Sequence, residues 1–394
     1  MSLTTIAVDG VTPAAMVSPT SAEELASELR EADAAGKSVV PIGGGTQLDL
    51  GMPPARVDLG LETTGLNRVV EYEPADLTVT VEAGMRFAEL QRILGEQGQL
   101  LALDPPLEDG ATIGGAIATN ASGPQRFAYG TARDLVIGTR VANPDGTVTH
   151  AGGRVVKNVA GYDLNKLYIG SLGTLAVLVE LSFKLAPIPP STATICGTFP
   201  SPSAASAVIG AVVRSPLSPL AIELLGSRRV VFHVGGYPQA VERQVRDLSA
   251  LVEQHGGQPE QAVWEEVVGP RKAARRRDVV VKAAAPISTS TRLVEILERH
   301  LAALNPRVWA HAGNGVAYAA CDAPSDVAAL RAARREVLAL GDNASLVIER
   351  CPTRLKREID VWGEPAASIG LMRAIKARLD PKSTLNPGRY VGGL

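Results

Sequence analysis

Short apolar runs closed by turn residues alternate with longer stretches of helical spacing along the chain. Ser18-Pro19-Thr20-Ser21 precedes AEELASELREADAAG. Glu24 stands three residues after Ser21, as in a capping box, and Gly36 closes the stretch, which predicts a capped helix. Residues 38–42 (SVVPI) read as a buried strand that runs directly into Gly43-Gly44-Gly45-Thr46. Strands are predicted over 57–61, 68–73 and 78–82, the last from the alternation of Val79 and Val81 with polar neighbours. A helix over 86–96 stops at Gly98, and the branched run 175–185 (LAVLVELSFKL) is a strand ended by the stiff spacer Pro187-Ile188-Pro189-Pro190.

Beyond the spacer the pattern changes. A strand over 194–199, a helix over 204–214, strands over 221–225 and 229–235 and a helix over 238–255 form one round. A second contains a strand over 279–287, a helix over 291–304, a strand over 307–320, a helix over 325–340 and a strand over 344–349. Two β-α-β-β-α-β-like passes imply an antiparallel sheet with helices on one face, although no repeat is visible in the sequence itself. A helix over 366–379 and the tail DPKSTLNPGRYVGGL follow. The tail's composition resembles the first half, on which it is expected to pack back.

A length of 394 residues suggests two domains or three, and room to bury a prosthetic group. The formal net charge of −2 argues against a nucleic-acid partner, and the one basic run, 271–277 (RKAARRR), is expected to be a solvated helix face. The first residues lack a basic and an apolar signal region, and no apolar run reaches the roughly 18 residues of a membrane span. A cytoplasmic location follows as the expectation, with any attachment to the inner membrane peripheral and through partners. Cys196, Cys321 and Cys351 are far apart and form no C-x-x-C pair, so neither a disulfide framework nor a thiolate metal centre is expected. If electrons leave through iron–sulfur clusters, another chain holds them.

Glycine concentrates in four stretches. Pro41-Ile42-Gly43-Gly44-Gly45-Thr46-Gln47 follows a strand, where successive side-chain-free N–H groups suit a pyrophosphate. It is not a dinucleotide fingerprint of the G-x-G-x-x-G kind, because Leu48 stands where glycine is required and Pro53-Pro54 forbid the following helix. Alone, it also reads as a tight turn without ligand. Residues 111–123 (ATIGGAIATNASG) add small residues beside Thr112, Thr119, Asn120 and Ser122, which tolerate burial only when paired. Residues 129–134 (YGTARD) and 157–163 (KNVAGYD) repeat the mixture. Four such stretches point to a bound ligand, since a bare core would not need them.

In this order PIGGGT, ATIGGAIATNASGP, YGTARDLVIG, KNVAGYDLNKLYIGSLGTLA and LDPKSTLNPGRY resemble the PCMH-type FAD-binding superfamily of p-cresol methylhydroxylase and vanillyl-alcohol oxidase, over nearly the whole chain. KNVAGYDL, the VWG at 361–363 and the chain length most resemble the FAD-binding E subunit of bacterial glycolate oxidase. The resemblance implies an α+β protein: a two-subdomain PCMH-type FAD-binding domain over 1–190, a ferredoxin-like α+β cap domain over 191–365, and a tail over 366–394 returning to the first. It further implies that Pro41, Ile42, Gly43, Gly44, Gly45, Thr46 and Gln47 take the pyrophosphate. Ala111, Thr112, Gly114, Gly115, Ala118, Thr119, Asn120, Ser122 and Gly123 would run along the pyrophosphate, ribityl and ring, with Tyr129, Gly130, Arg133, Asp134 and Val136 toward the adenine side. Tyr162 and Asp163 would support the flavin pocket, and Asn386 and Arg389 would approach from the tail. Some members attach FAD through a histidine of the first loop; that loop offers Thr46 and no histidine, so a non-covalent cofactor is expected.

Oxidising a 2-hydroxy acid requires a carboxylate clamp, a base for the hydroxyl proton and an aligned hydride acceptor. Related catalytic chains carry H-x-G-D-G-N-x-H; here His311 keeps the first position, while Asn314, Val316 and Tyr318 replace the Asp, Asn and second His. One histidine without an acidic or thiol neighbour makes a poor metal site, so no metal is expected. His311 is a candidate base or donor, or a structural histidine. Glu349 and Arg350 are candidate catalytic residues, with Arg350 as carboxylate clamp, or a surface ion pair. The implied function is the FAD-binding subunit of a glycolate (2-hydroxy acid) oxidase or dehydrogenase, working with a sister flavoprotein and an iron–sulfur subunit. The alternatives are a catalytically silent flavin-loaded assembly subunit and a free-standing FAD-dependent alcohol or hydroxy-acid oxidase. Trp264, Trp309 and Trp362 are a candidate docking surface or core residues.

Overall fold

A computed structural model describes residues 6–153, 162–365 and 367–394. These fall into two compact units: the described parts of Met1–Ser122, Gly130–Ile188 and Glu364–Leu394, and Gly123–Tyr129 with Pro189–Gly363.

The first unit opens with three short parallel strands, β1 (Ala15–Val17), β2 (Val39–Ile42) and β3 (Leu59–Glu62), in the order β1-β3-β2. The helix Ala22–Ala34 joins β1 to β2; Ser21 caps it by accepting the Glu24 N–H at 3.1 Å, and Leu25 and Leu29 are buried. Next come β4 (Val69–Glu73), β5 (Thr78–Glu82), β6 (Gln99–Leu100), β7 (Val136–Ala142), β8 (Val148–Gly152), β9 (Val177–Lys184) and β10 (Ala186–Pro187). Five of these form an antiparallel sheet in the order β4-β5-β9-β7-β8, and β6 pairs with β10. The helices Phe87–Gly95 and Ile113–Ala118 bury Phe87, Leu90, Ile113 and Ile117 in one core with Val79, Val81, Leu181 and Phe183.

The chain end is a structural part of this unit. The helix Ile369–Leu379 follows Ala366, which lies outside the described residues, and the tail after it lies along β2: Val39 donates to Thr384 O at 2.7 Å and Asn386 donates to Val39 O at 2.9 Å. A buried ion pair fixes the turn between helix and tail. Lys376 Nζ donates to Asp380 Oδ2 (2.5 Å), Thr174 O (2.7 Å) and Leu385 O (2.9 Å), while the Asp380 carboxylate accepts the N–H groups of Thr384 and Leu385 at 2.8 Å.

The second unit contains β11 (Ser191–Thr198), β12 (Ala221–Leu225), β13 (Arg229–Gly236), β14 (Gln258–Gln261), β15 (Val279–Ala284), β16 (Arg307–His311), β17 (Val316–Cys321) and β18 (Ser345–Arg350). All pair antiparallel in one sheet of order β14-β11-β13-β12-β16-β17-β15-β18. The helices Pro202–Val213 and Pro238–Gln254 complete a β-α-β-β-α-β pass over β11–β14, and Ser290–Leu301 and Ala328–Leu338 complete another over β15–β18. Each pass orders its strands fourth, first, third, second from its outer edge. They meet through β12 and β16, the second strand of each, as a pseudo-twofold repeat.

Three sequence expectations need correction here. The strand foreseen over 307–320 is two strands, reversed by a turn at Ala312–Asn314 that ends at Gly315 with φ +68°, where a Cβ would lie 2.1 Å from Ala285 O. The run 271–277 is no solvated face: the helix Trp264–Ala274 buries Arg271 against the strand face that carries Glu223, and Arg275 is only 13% exposed in its side chain. Trp309 is 3% exposed and stacks on Tyr318, so it is a core residue and not part of a docking surface.

Replacing Lys376 with Met leaves the Asp380 carboxylate buried without its cation. Unfolding by denaturant, followed by circular dichroism, should show a loss of about 3–5 kcal/mol. A loss below about 1 kcal/mol would mean that the tail is held by its backbone pairing alone.

Candidate functional site

In the first unit a cleft opens where β2 ends. Its first wall is the loop 43–47. Among the described residues no acceptor takes the N–H groups of Gly44, Gly45, Thr46 or Gln47, and the loop comes so close to residue 110 that a Cβ on Gly44 would lie 1.7 Å from Gly110 O. The second wall is the helix Ile113–Ala118, capped by Thr112, whose hydroxyl accepts the Gly115 N–H at 3.2 Å. Gly114 packs on Ala83, while a Cβ on Gly115 would meet only the Thr112 hydroxyl, at 3.0 Å. The third wall, Ser171 to Gly173, is tied to that helix by hydrogen bonds from Gly170 N to Ile117 O (3.0 Å) and from Leu172 N to Ala118 O (2.8 Å).

Asn386 and Arg389 also line the cleft, yet their polar atoms are engaged with the backbone around it. Asn386 Nδ2 donates to Leu172 O at 2.6 Å, and Arg389 Nη2 donates to Leu48 O (2.6 Å) and Leu50 O (2.8 Å). Burial pushes the Arg389 guanidinium down to about 10, still a cation at neutral pH.

The second unit carries a separate polar cluster. Cross-strand register sets Glu223 of β12 opposite His311 of β16, and Glu223 Oε1 lies 2.7 Å from His311 Nδ1 with both side chains buried. The other Glu223 oxygen meets the Arg271 guanidinium. One helical turn on, Arg275 pairs with Glu349 at 2.5 Å and lies 4.7 Å above the Tyr318 ring; Lys282 is 3.8 Å from the same carboxylate. Tyr318 presents its ring edge to His311 with centroids 5.3 Å apart. Burial first, then the cations Arg271, Arg126, Arg275 and Lys282, hold the His311 imidazole well below the usual histidine range. It is therefore neutral at physiological pH, and the carboxylate at Nδ1 assigns the proton to that nitrogen.

Comparison with known proteins shows the cofactor this chain uses. The sequence family described as "FAD binding domain" matches residues 13–152, and "FAD linked oxidases, C-terminal domain" matches residues 362–390. The chain is an FAD-dependent oxidoreductase. It is 26% identical to the glycolate oxidase subunit GlcD of Bacillus subtilis, over 96% of this chain and 88% of that one. It is 28% identical to the mitochondrial D-lactate dehydrogenase [cytochrome] of Arabidopsis thaliana, over 96% and 73%. Its likeness to the glycolate oxidase subunit GlcE of Escherichia coli is 42% but spans 122 residues, 31% of this chain and 35% of that one. The whole-length likeness thus extends beyond E subunits. The structure of p-cresol methylhydroxylase with substrate bound superposes with a TM-score of 0.73 at 15% identity, over 95% of this chain and 88% of that one, so the fold is the PCMH type.

The cleft residues fit FAD. Four N–H groups without acceptors suit a pyrophosphate, small residues at 114, 115 and 118 leave room for its approach, and just past their helix, outside the lining itself, Asn120 Oδ1 is buried without a partner among the described residues. Of the residues expected at the cofactor, the structure brings Pro41, 43–47, Thr112, Gly114, Gly115, Ala118, Thr119, Asn386 and Arg389 to one cleft. Others lie elsewhere. Asp134 caps its own helix by accepting the Thr131 N–H at 2.8 Å, Arg133 donates to Lys166 O at 3.0 Å, and Val136 is buried at the start of β7. Gly123 and Tyr129 group with the second unit, Tyr162 is 93% exposed, and Asp163 lies 3.5 Å from Lys166. Residues 157–161 of the KNVAGYD stretch lie outside the described residues.

Around His311 the sequence reading missed partners. His311 does have an acidic neighbour, Glu223, although among the described residues no three His, Cys, Asp or Glu side chains gather as metal ligands. Glu349 pairs with Arg275 and Lys282, while Arg350 stands across from Val280 beside a bulge. Two signals were present. Glu223 is a lone charge inside the apolar strand AIELL, and Arg271 and Arg275 are four residues apart on one helical face.

Two glycine variants separate folding from cofactor contact. Gly44→Ala should lose both FAD and apo-protein stability, because its Cβ meets backbone. Gly115→Val should lose most of its FAD while the apo-protein melts within about 2 °C of the parent, a shift below 1 kcal/mol. Full flavin absorbance in purified Gly115→Val would remove Gly115 from the cofactor contacts.

Proposed function

We propose that the chain is the flavin-bearing dehydrogenase of a small 2-hydroxy acid and passes its electrons to a partner protein. The observation that carries this reading is the neutral, buried His311 set among Arg271, Arg275 and Lys282. Three cations face two carboxylates, Glu223 and Glu349, and the surplus positive charge suits a substrate carboxylate. His311, uncharged, is ready to take the hydroxyl proton as the α-carbon gives up its hydride. FAD, when bound, supplies the two-electron acceptor. The names of the relatives, glycolate oxidase and D-lactate dehydrogenase, support this substrate class.

The partner belongs to the proposal too. Cys196, Cys321 and Cys351 are each buried, far apart in sequence and form no disulfide, so single-electron transfer through iron–sulfur centres calls for a second chain. Likeness to both GlcD and GlcE supports a multi-subunit assembly with a sister flavoprotein. The described helices include none long and apolar enough to cross a membrane, so contact with a membrane acceptor would run through such partners. The E-subunit role is one form of this reading. A second reading, a flavin-loaded but silent assembly subunit, is favoured by Tyr318 standing where related catalytic chains carry a second histidine.

Anaerobic mixing of the FAD-loaded chain with glycolate, D-lactate or D-2-hydroxyglutarate decides between them. Bleaching of the oxidised-flavin band by at least one acid is expected, with His311→Ala slowing it on the order of 10²–10³-fold at unchanged FAD content. No bleaching by any of the three acids would establish the silent reading.

A further inference from the structure

The His311 base is held by a device that neither the sequence motif nor the mechanism above accounts for. Glu223 is fully buried, yet it sits on the strand pair that joins the two β-α-β-β-α-β passes, where apolar residues would serve folding as well or better. Its two oxygens are divided: Oε1 faces His311 Nδ1 at 2.7 Å and Oε2 meets Arg271. Arg271 comes from the helix Trp264–Ala274, the one long helix of this unit that belongs to neither pass. That helix is itself anchored at its first residue, where Trp264 stacks on His233 with centroids 4.3 Å apart, and Arg271 lies 5.6 Å from the same indole.

We infer that Glu223 is a positioning residue for His311: it holds the imidazole with its hydrogen on Nδ1 and so leaves Nε2 to take the substrate hydroxyl proton, while Arg271 orients the carboxylate. This rests on the reading of His311 as the base. The two side chains that face each other project from paired strands, so register alone sets their spacing. When the hydroxyl proton moves to Nε2, the imidazole becomes a cation beside Glu223, which offsets a charge that Arg271, Arg126, Arg275 and Lys282 oppose. Tyr318, edge-on at 5.3 Å, completes the groups around the ring.

The test uses the full FAD-loaded chain with ¹⁵N-labelled histidine and stopped-flow flavin reduction. In the unaltered protein His311 should appear as the Nδ1–H tautomer at neutral pH; an Nε2–H tautomer would overturn the inference. Glu223→Gln should slow flavin reduction on the order of 10²–10³-fold with substrate half-saturation changed less than about threefold. Loss of the negative charge disfavours imidazolium, so the acidic limb of the pH–rate profile should move to lower pH. Glu223→Asp, which restores the charge, should recover about tenfold of the lost rate. On a His311→Ala background Glu223→Gln should cost less than about twofold; a full additive loss would show that Glu223 only stabilises the sheet. If no 2-hydroxy acid reduces the flavin of the unaltered chain, the proposed function fails, and the tautomer still decides the role of Glu223. If Glu223→Gln does not fold, Glu223→Asp and the tautomer carry the test.

Discussion

A loop that offers its backbone N–H groups to a ligand forgoes internal hydrogen bonds, so its shape must be imposed from outside. Residues 44–47 are such a loop, and the imposition comes from the far end of the chain. Lys376 and Asp380 fix the turn that starts the tail, the tail pairs with β2, and this pairing delivers Arg389 to the carbonyls of Leu48 and Leu50. Each contact alone is ordinary. In series they let residues more than 340 positions apart in sequence shape one anion-binding turn.

In the second unit the corresponding constraint is the seam between two copies of one topology. Joining the passes through their second strands makes a continuous sheet and places β12 and β16 at its centre, away from both edges. A carboxylate and an imidazole on such strands have little freedom, and Arg271 closes the remaining oxygen. The arrangement leaves charge buried at a place where stability alone does not call for it, which ties the seam to chemistry more than to folding.

Much of this was legible in the chain. The period of apolar positions gave most strands and helices of both passes but not β14, the glycine-rich loop and the 111–119 segment were marked by composition, and the tail residues Asn386 and Arg389 were marked by the family resemblance. What escaped depended on distance. The reversal at Ala312–Asn314 hid inside an apolar run because one turn of three residues barely interrupts it. Glu223 lies 48 positions from Arg271 and 88 from His311, so no local pattern joins the three. The helix Trp264–Ala274 has Pro270 inside it and weak amphipathic character, since its inward face carries an arginine instead of leucine, and the basic run 271–277 at its end has the composition of a solvated face. Arg133 and Asp134 have local partners that the sequence did not show: their side chains are occupied by a neighbouring loop and by helix capping.

On the function proposed above, the two units meet the same problem, an anionic ligand, by different physics. In the first, neutral backbone dipoles converge on the cleft, and the one guanidinium lining it among the described residues already donates to carbonyls, so that charge holds the protein. In the second, side-chain cations gather around a neutral base and are only partly balanced by carboxylates. Backbone donors suit a cofactor that stays, because they are rigid and make no demand on protonation. Side-chain charges suit a substrate that comes and goes, because they draw an anion from solvent and leave the proton-accepting nitrogen free of a competing charge.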